Sequence, residues 1–276
     1  MEDQSGNNAA NTNTPLDNAD RDFDREPDET AAPESPEELA AAEAAEAAAQ
    51  ANAARARARL LSERAAREAM TPSPASPEAE AAAPEPEAAA PFAPKRGKQR
   101  WPVKTVDDDD KNKVKLADND IKQTTVEDLW LEPRPTDMPL TRAVRKYQSK
   151  RAEGPETTVW QVEGRITAHK WEKDGDYHIV LQDLNSGYTM VVESPQEGEG
   201  SDGLPFVEDS SLVKDRAEQA RLKLQEELNP KPFFQNANRK VRITGVGFFD
   251  ILHGATGAAE TNSIELHPVI DVEFLD

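Results

Sequence analysis

Hydrophobic and polar residues alternate in short runs along the last third of the chain. Over residues 158–172, apolar side chains such as Val162 and Ile166 occupy alternate positions, which predicts a strand with one buried face. Residues 177–183 and 188–193 alternate in the same way and are separated by an Asn-Ser-Gly turn. They are therefore predicted to pair as a hairpin.

A helix and two further strands complete this pattern. Residues 210–229 carry apolar side chains at helical spacing, which gives the predicted helix one packing side. Strands are predicted at 240–249 and 264–275, and Gly245 and Gly247 favour a bulge in the first of them. The order strand, strand, strand, helix, strand, strand is that of the oligonucleotide/oligosaccharide-binding (OB) fold. The predicted fold is mainly β, a five-stranded OB-like barrel with one helix.

The chain before the predicted barrel, which spans residues 155–276, changes composition several times. Residues 1–34 are acidic and almost free of large apolar side chains, so a disordered tail is predicted. Residues 35–70 are rich in alanine and predict a helix without a sustained heptad, which favours a solvated helix over a partner-binding one. Residues 71–94 alternate Pro, Ala and Glu, which is typical of an extended linker that holds the helix away from the barrel.

Residues 95–154 are predicted to form an extended leader that packs on the outside of the barrel. Its apolar islands centre on Trp101 and Trp130, which are the predicted anchors. Residues 95–115 mix lysine and arginine with a run of four aspartates. The closeness of opposite charges favours a self-screened surface segment over a phosphate contact, and the run lacks the spaced ligands of a calcium loop.

Charge is distributed unevenly over this acidic chain, whose formal net charge is −20. Residues 1–92 carry −13, residues 93–154 carry +4 and residues 155–276 carry −11. An acidic barrel disfavours nucleic acid as a partner, because phosphate contacts supply most non-specific affinity. The absence of cysteine excludes disulfides, thiolate metal ligands and cysteine nucleophiles. The N-terminus has no export signal pattern and the chain no long apolar run, so a cytoplasmic protein without a membrane partner is expected.

Three motifs of the barrel region resemble those of a family of uncharacterised bacterial proteins. They are Asp-Gly-Asp-Tyr-His at 174–178, Thr-Gly-Val-Gly-Phe-Phe-Asp at 244–250 with the following His-Gly, and Glu-Leu-His-Pro at 265–268. Trp-Pro-Val-Lys-Thr at 101–105 resembles the leader of that family, so the likeness spans roughly 100–276. The resemblance implies no particular activity. The chain departs from many members in having no cysteine after the third strand and no export signal.

Histidine and carboxylate side chains collect near the ends of the predicted strands. The candidate catalytic residues are Asp176, His178, Asp250, His253, Glu265 and His267, and the candidate metal ligands are His178, His253 and His267. If they converge, they could hold a divalent metal or form a general base. The alternative, which the sequence favours, is that each histidine hydrogen-bonds a neighbouring strand or loop. No cofactor is predicted, and a divalent metal is the exception that remains open.

A basic stretch at 142–151 is the best candidate for contacts with a ligand phosphate. Its members are Arg142, Arg145, Lys146, Tyr147, Lys150 and Arg151. A solvated helical face explains the same residues equally well.

Two functions therefore remain open. The leading prediction is a binding module for an unidentified ligand or protein, with single-stranded nucleic acid as a disfavoured partner. The alternative is a metal-dependent hydrolase or nuclease that uses the histidine and carboxylate residues. The two differ in whether those side chains meet at one point.

Overall fold

The structure, a computed structural model, describes residues 35–69 and 93–275. The predicted tail 1–34 and all of the predicted linker 71–94 except residues 93 and 94 lie outside the described residues. The helices are α1 Pro36–Ala69, α2 Trp101–Lys104, α3 Val126–Leu129 and α4 Lys214–Leu228. The strands are β1 Lys122–Thr124, β2 Val159–Trp171, β3 Tyr177–Asp183, β4 Thr189–Ser194, β5 Gln235–Phe249 and β6 Ile264–Phe274.

The six strands form one mixed sheet in the order β1-β2-β3-β4-β6-β5. A further antiparallel pairing joins β2 to β5, so hydrogen bonds run in a ring through five strands. Within this ring β4 and β6 are parallel, and the other neighbours are antiparallel. The prediction of a mainly β protein is confirmed, and all five predicted strands occur within a few residues of their expected positions.

The apolar positions of the predicted strands face a common core. Ile166, Ile179, Leu181, Met190 and Ile243 are fully buried in it. Helix α4 lies between β4 and β5 in the sequence and packs its buried Ala217, Ala220 and Leu224 against the sheet near β6. The core therefore comes from the residues whose alternation predicts it.

The pairing of β5 with β6 is irregular at the predicted glycines of β5, but the extra residues lie in β6. The pairing of β5 with β6 shifts register at Gly245 and again before Gly247. A side chain at Gly247 would collide with the backbone carbonyl of Pro155, which explains the glycine there. Opposite the second shift, His267 and Pro268 occupy the extra position in β6. A bulge turns the side chains beside it, and this one lies next to the histidine of the candidate site.

The leader is held to the strands by its two tryptophans. The indole Nε1 of Trp101 donates to the carbonyl of Phe206 at 2.8 Å, and Nε1 of Trp130 donates to that of Thr189 at 2.7 Å. Both side chains are buried. The leader also contributes β1, a short edge strand parallel to β2 that the alternation pattern did not predict.

The interpretation of residues 95–115 as a self-screened surface segment holds for Lys111 and Lys113, which pair with Asp107 and Asp110 at 2.8 Å, but it is wrong for Arg100 and Asp108. Arg100 is buried and binds Glu156 through two nitrogens, at 2.7 and 2.8 Å. Asp108 is also buried and pairs with Arg151 at 2.8 Å. These two buried charges are therefore matched by distant charges inside the fold, because a buried charge requires a partner.

Helix α1 occupies the predicted position but contacts the sheet domain. Only Ala53 and Leu60 are buried among its residues. Arg64 and Arg67 pair with Asp128 and Glu127 at 2.7 and 2.6 Å. These contacts show that the interpretation of a helix held away from the barrel is wrong. They are mostly made by charged side chains, so the alanine pattern gives no sign of them.

A second set of contacts joins α1 to the loop before β2. The carboxylate of Glu46 accepts hydrogen bonds from the backbone N–H groups of Leu140 and Thr141, both at 2.9 Å. The carbonyl of Leu140 in turn accepts from the N–H of Leu252 at 2.6 Å. Helix α1 is thus linked to the loop that follows β5 through Leu140, whose N–H bonds Glu46 and whose carbonyl bonds Leu252.

His169 on β2 is buried, although Lys170 and Glu172 close to it in the sequence are charged. It is 3% exposed, and its Nδ1 has no hydrogen-bond partner within the described residues. Burial lowers the pKa of His169 to about 4. The folded protein therefore keeps this imidazole neutral over a pH range in which the unfolded chain protonates it.

We expect His169 to make the protein less stable in mild acid. In the unfolded chain the pKa of His169 is near 6.5. As the pH falls from 6.5 to 4, the unfolded state therefore binds a proton that the folded state does not bind, and the free energy of unfolding decreases. The full difference is about 3 kcal/mol. Urea unfolding of the protein and of His169→Phe at pH 7 and pH 4.5 measures it. The variant should lose less stability between the two pH values, and equal losses would contradict the assignment.

Candidate metal and acid–base site

The six candidate residues named from the sequence surround one place in the structure. Asp176 and His267 are in direct contact, with Oδ2 and Nε2 2.9 Å apart. Asp250 and His253 form a second pair, with Oδ2 and Nε2 3.4 Å apart. His178 is joined to the first pair through a residue that the sequence analysis did not select, Glu193 at the end of β4.

Glu193 belongs to two clusters of ligand-type atoms. In the inner cluster its Oε2 lies 3.4 Å from His267 Nε2, and Asp176 completes the set. In the outer cluster its Oε1 lies 3.3 Å from His178 Nδ1, and Glu172 completes the set. The ligand atoms of each cluster lie within 4.8 Å of one another. Each cluster supplies one imidazole nitrogen and two carboxylates.

The two histidines are held in the same manner. His267 Nδ1 lies 2.9 Å from the carbonyl oxygen of Lys104, and His178 Nε2 lies 2.9 Å from that of Thr256. A carbonyl oxygen only accepts, so each of these ring nitrogens carries the proton. The other ring nitrogen of each histidine is thereby directed at the carboxylates. Metal-binding histidines commonly have this arrangement, with one nitrogen bound to a backbone carbonyl.

Lys104 is the cation of the inner cluster. Its Nζ is 3.4 Å from Glu193 Oε2 and 4.0 Å from Asp176 Oδ2. Burial alone lowers the pKa of Lys104, but Glu193, Asp250 and Asp176 outweigh it and hold the pKa well above its usual value. The inner cluster therefore already contains a fixed positive charge.

The outer cluster also contacts a cation, because Lys170 Nζ lies 2.8 Å from Glu172 Oε1. His178 Nδ1 faces Glu193 Oε1 and, at 3.6 Å, Glu172 Oε1. Burial lowers the pKa of His178, but the hydrogen bond to Glu193 and the charge of Glu172 raise it overall. The Lys170 side chain is 24% exposed, against 11% for Lys104, so this cation is closer to solvent. The raised pKa favours a second proton on the imidazole of His178, which a metal would displace.

The carboxyl groups around these clusters differ in their protonation. Burial raises the pKa of Glu193, but Lys104 and His178 more than reverse it and hold the pKa far below its usual value. Burial and the charge of Glu193 hold the pKa of Glu265 well above its usual value. Burial and Asp176 do the same for Asp174. Groups of one type with pKa values pushed apart are a feature of acid–base sites.

Asp250 and His253 form a carboxylate–imidazole pair of the kind found in acid–base sites. Burial raises the pKa of Asp250, but Lys104 and His253 lower it overall. The hydrogen bond to Asp250 raises the pKa of His253. Arg134 donates to the carbonyl of Asp250 at 2.7 Å and fixes the loop that carries the pair.

A cleft of about 910 Å³ gives access to these groups. The site residues that line it are Lys104, Glu172, Asp174, His178, Glu193, Asp250, His253 and Glu265. Asp176 and His267 are fully buried and do not line the cleft. The outer cluster is therefore open to a ligand, whereas the inner cluster lies beneath it.

Three residues of the site were missed in the sequence. Glu193 and Glu172 end strands whose alternation explains their polarity, so nothing in the sequence separates them from surface residues. Lys104 lies within the Trp-Pro-Val-Lys-Thr segment, about 70 positions before Asp176. That segment carries the resemblance to the bacterial family, which was the one signal available for Lys104.

The basic stretch at 142–151 lies elsewhere and is largely used inside the fold. Arg151 is buried against Asp108 and the carbonyl of Val103, and Tyr147 is buried with its hydroxyl donating to Asp137 at 2.7 Å. Lys146 pairs with the same aspartate. The predicted helical face is absent here, since only Arg145–Tyr147 forms a turn of 3-10 helix. Arg142, Arg145 and Lys150 are exposed, so a ligand contact at this stretch stays a prediction for those three.

Among the described residues, no helix combines the length and apolar character that crossing a membrane requires. Comparison of the chain with protein-family models, with curated proteins and with solved structures gave no match. The resemblance to the bacterial family stays a prediction.

Proposed function

We propose that the chain is a hydrolase that uses one divalent metal ion, held by Glu172, His178 and Glu193 on an OB-type barrel. The observation that carries the proposal is the outer cluster itself. Three ligand atoms from three different elements lie within 4.8 Å of one another and open into the cleft. Catalytic metal sites commonly have three protein ligands and leave a position for water or substrate.

The strand connectivity supports the barrel part of the proposal. The ring order β2-β3-β4-β6-β5, the parallel pairing of β4 with β6 and the helix between β4 and β5 agree with a five-stranded OB barrel. In such a barrel β2, β3 and β4 are the first three strands. The outer cluster lies at the end of β2, at the start of β3 and at the end of β4.

The outer cluster is favoured over the inner one because it lines the cleft and because its cation, Lys170, is more exposed than Lys104. A metal in the outer cluster would displace Lys170 from Glu172 Oε1. An ammonium group 3.4 Å from Glu193 Oε2 would repel a divalent ion placed among the inner ligands. The ammonium of Lys104 pairs with Oε2 of Glu193, and Oε1 of the same carboxylate faces His178. Glu193 thus has one oxygen bound by a fixed cation and one available to a metal.

The ligand set of one imidazole and two carboxylates suits zinc or manganese better than magnesium or copper. A metal in this position would lower the pKa of a bound water and polarise a substrate oxygen. The residues around it provide the remaining chemistry. Asp250 and His253 can accept a proton, and the cleft is large enough for a substrate of several rings or residues.

The proposal has a direct test by calorimetry of the metal-free chain with zinc and manganese. We expect one ion per chain, with affinity rising with pH because the ion displaces the proton favoured on His178. Glu193→Gln and His178→Ala should each weaken binding by more than about 100-fold, since each removes a ligand. Glu163→Gln, a change of an exposed β2 carboxylate that faces Arg242, is the matched control and should bind as the original does.

Activity is tested with chromogenic phosphate diesters, phosphate monoesters, carboxylic esters and glycosides. Turnover of one class that disappears with a chelator and returns with zinc or manganese supports the hydrolase. Metal binding without turnover of any class would favour the binding module that the sequence favours. Absence of stoichiometric metal binding would overturn the proposal.

A further inference from the structure

We infer that Lys170 is the anion-binding residue of this site and that the substrate is a phosphate monoester. The inference rests on the proposed hydrolase function and names its substrate class. Three observations carry it: the ion pair of Lys170 with the outer cluster, the ring of Phe234 that holds the same ammonium group, and the lysines that line the cleft beside Glu172.

The ammonium group of Lys170 lies at a ligand oxygen of the outer cluster. Its Nζ is 2.8 Å from Glu172 Oε1, and the same oxygen lies 3.6 Å from His178 Nδ1. A metal bound to that oxygen takes the place of the ammonium group. The lysine side chain is partly exposed, so the displaced cation can move toward solvent while its backbone stays fixed in β2.

Phe234 keeps the displaced ammonium group near the cluster. The residue lies directly before β5, and Lys170 Nζ is 4.8 Å from the centroid of its ring. The ring also meets the imidazole of His178 edge to face, with 5.6 Å between the centroids and an interplanar angle of 84°. An aromatic ring attracts a cation through its quadrupole. The ring of Phe234 thus joins a metal ligand and the cation in one contact group.

The charges around a bound ion favour an anionic substrate. Glu172 and Glu193 together carry two negative charges, which balance those of a divalent ion, so Lys170 adds a further positive charge beside it. Neighbouring cations repel each other unless an anion lies between them. A non-bridging phosphate oxygen that contacts the ion on one side and Lys170 on the other supplies that anion. A neutral ester or a glycoside does not.

Further lysines line the cleft beside Glu172. Lys173 follows it in the sequence, and the carbonyl of Lys173 accepts a hydrogen bond from the N–H of Lys95 at 3.1 Å. Both lysines line the cleft, and a phosphate monoester carries a charge of about −1.5 to −2 at pH 7. The cleft also contains carboxylates, Asp250 and Glu265 among them. It therefore suits one phosphate group better than a nucleic acid strand, whose other phosphates these carboxylates would repel.

The step that Lys170 assists is hydrolysis of a P–O bond. The oxygen of a water molecule forms a bond to phosphorus, and the bond from phosphorus to the leaving oxygen breaks, with its electron pair going to that oxygen. One proton of the water ends on the leaving oxygen and the other stays on the phosphate. Lys170 keeps its own protons and stabilises charge on a non-bridging oxygen. The products are an alcohol and inorganic phosphate.

The first test is calorimetry of the zinc-loaded chain with inorganic phosphate, the product of the reaction. We expect the original chain to bind one phosphate and Lys170→Met to bind it about 10- to 100-fold more weakly. Lys170→Arg keeps the charge and should keep most of the affinity. Lys223→Met is the matched control, because Lys223 pairs with Asp271 at the same 2.8 Å on the surface, and it should bind phosphate as the original does. Equal phosphate affinity in Lys170→Met and the original chain would overturn the inference.

The second test compares zinc affinity and turnover in the same variant. Lys170→Met should bind zinc up to about fivefold more tightly, because the cation that competes for Glu172 is gone. Its kcat/KM for nitrophenyl phosphate should nevertheless fall by about 10²- to 10³-fold. Weaker zinc binding in the variant would show that Lys170 only supports the cluster, and this too would overturn the role.

The same measurements separate this inference from the proposed function. A chain that binds zinc but hydrolyses nitrophenyl acetate and not nitrophenyl phosphate keeps the metal-dependent hydrolase and refutes the substrate class. Zinc binding without phosphate binding refutes the anion site and leaves the metal site in place. A chain that binds no zinc refutes the proposed function and this inference with it.

Discussion

Replacement of Arg100 by methionine is expected to be the most destabilising single change in the part of the chain that the structure describes. The guanidinium binds both oxygens of Glu156 and donates to the carbonyls of Tyr147 and Phe249 at 2.9 and 2.7 Å. It also lies over the ring of Phe248, 4.7 Å from the centroid. Methionine would leave the buried Glu156 without its cation. Breaking a buried ion pair in this way costs about 3–5 kcal/mol.

Denaturant unfolding of the variant measures this loss. Arg242→Met is the matched control, because Arg242 also pairs with two carboxylates, Glu163 and Glu273, but at the surface. Surface pairs contribute little, so the control should unfold near the original midpoint. The double variant Arg100→Met with Glu156→Gln should lose less than the two single losses together, since the second change removes the orphaned charge. A loss for Arg100→Met as small as that of the control would contradict the role given to the pair.

The effect matters for the site because Arg100 joins the leader to the strands. Residues 101–104 follow it directly as α2, and Lys104 at the end of α2 supplies both an ammonium and a carbonyl to the inner cluster. Loosening of Arg100 would therefore move two contacts of the site together. The leader is part of the site, although it lies far from β3, β4 and β6 in the sequence.

Prediction from the sequence succeeded where the pattern is local. Strand alternation depends on neighbours two residues apart, so β2 to β6 were within reach, as was an irregular pairing near Gly245 and Gly247, although its extra residues lie in β6. The burial of Arg100, Asp108 and Arg151 was not, because a charged residue in the sequence looks the same whether its partner is water or a distant opposite charge. Helix α1 illustrates the same limit, since its ion pairs join it to residues about 60 positions away.

The candidate site was predictable in part for a related reason. Histidines are rare in this chain, with four in 276 residues, so three near strand ends were clear candidates for a site. Carboxylates are abundant, and the sequence could not single out Glu193 or Glu172 among them. Convergence is a property of the ring of strands, which brings the end of β4 beside β6 and the start of β3. That neighbourhood determines which ligand-type atoms meet, and no spacing along the chain encodes it.

Replacement of Lys104 by methionine is expected to turn the inner cluster into a second metal site. The side chain of methionine has a similar length, and it removes the ammonium that lies among Glu193, Asp176 and His267. In metal-free buffer the variant should be less stable by about 3–5 kcal/mol, because buried carboxylates lose their cation. Zinc should restore this loss, since Asp176, Glu193 and His267 present ligand atoms within 4.8 Å of one another.

Calorimetry and thermal unfolding with and without zinc test this expectation together. The original chain should bind one zinc ion and Lys104→Met should bind two, with a larger rise in Tm on zinc addition for the variant. Lys223→Met is the matched control, because Lys223 pairs with Asp271 at 2.8 Å on the surface, and it should keep a stoichiometry of one. A variant that stays at one ion per chain would show that Lys104 does not occupy a metal position. A variant that binds none would show instead that the outer cluster depends on Lys104 to direct Glu193 Oε1 at His178.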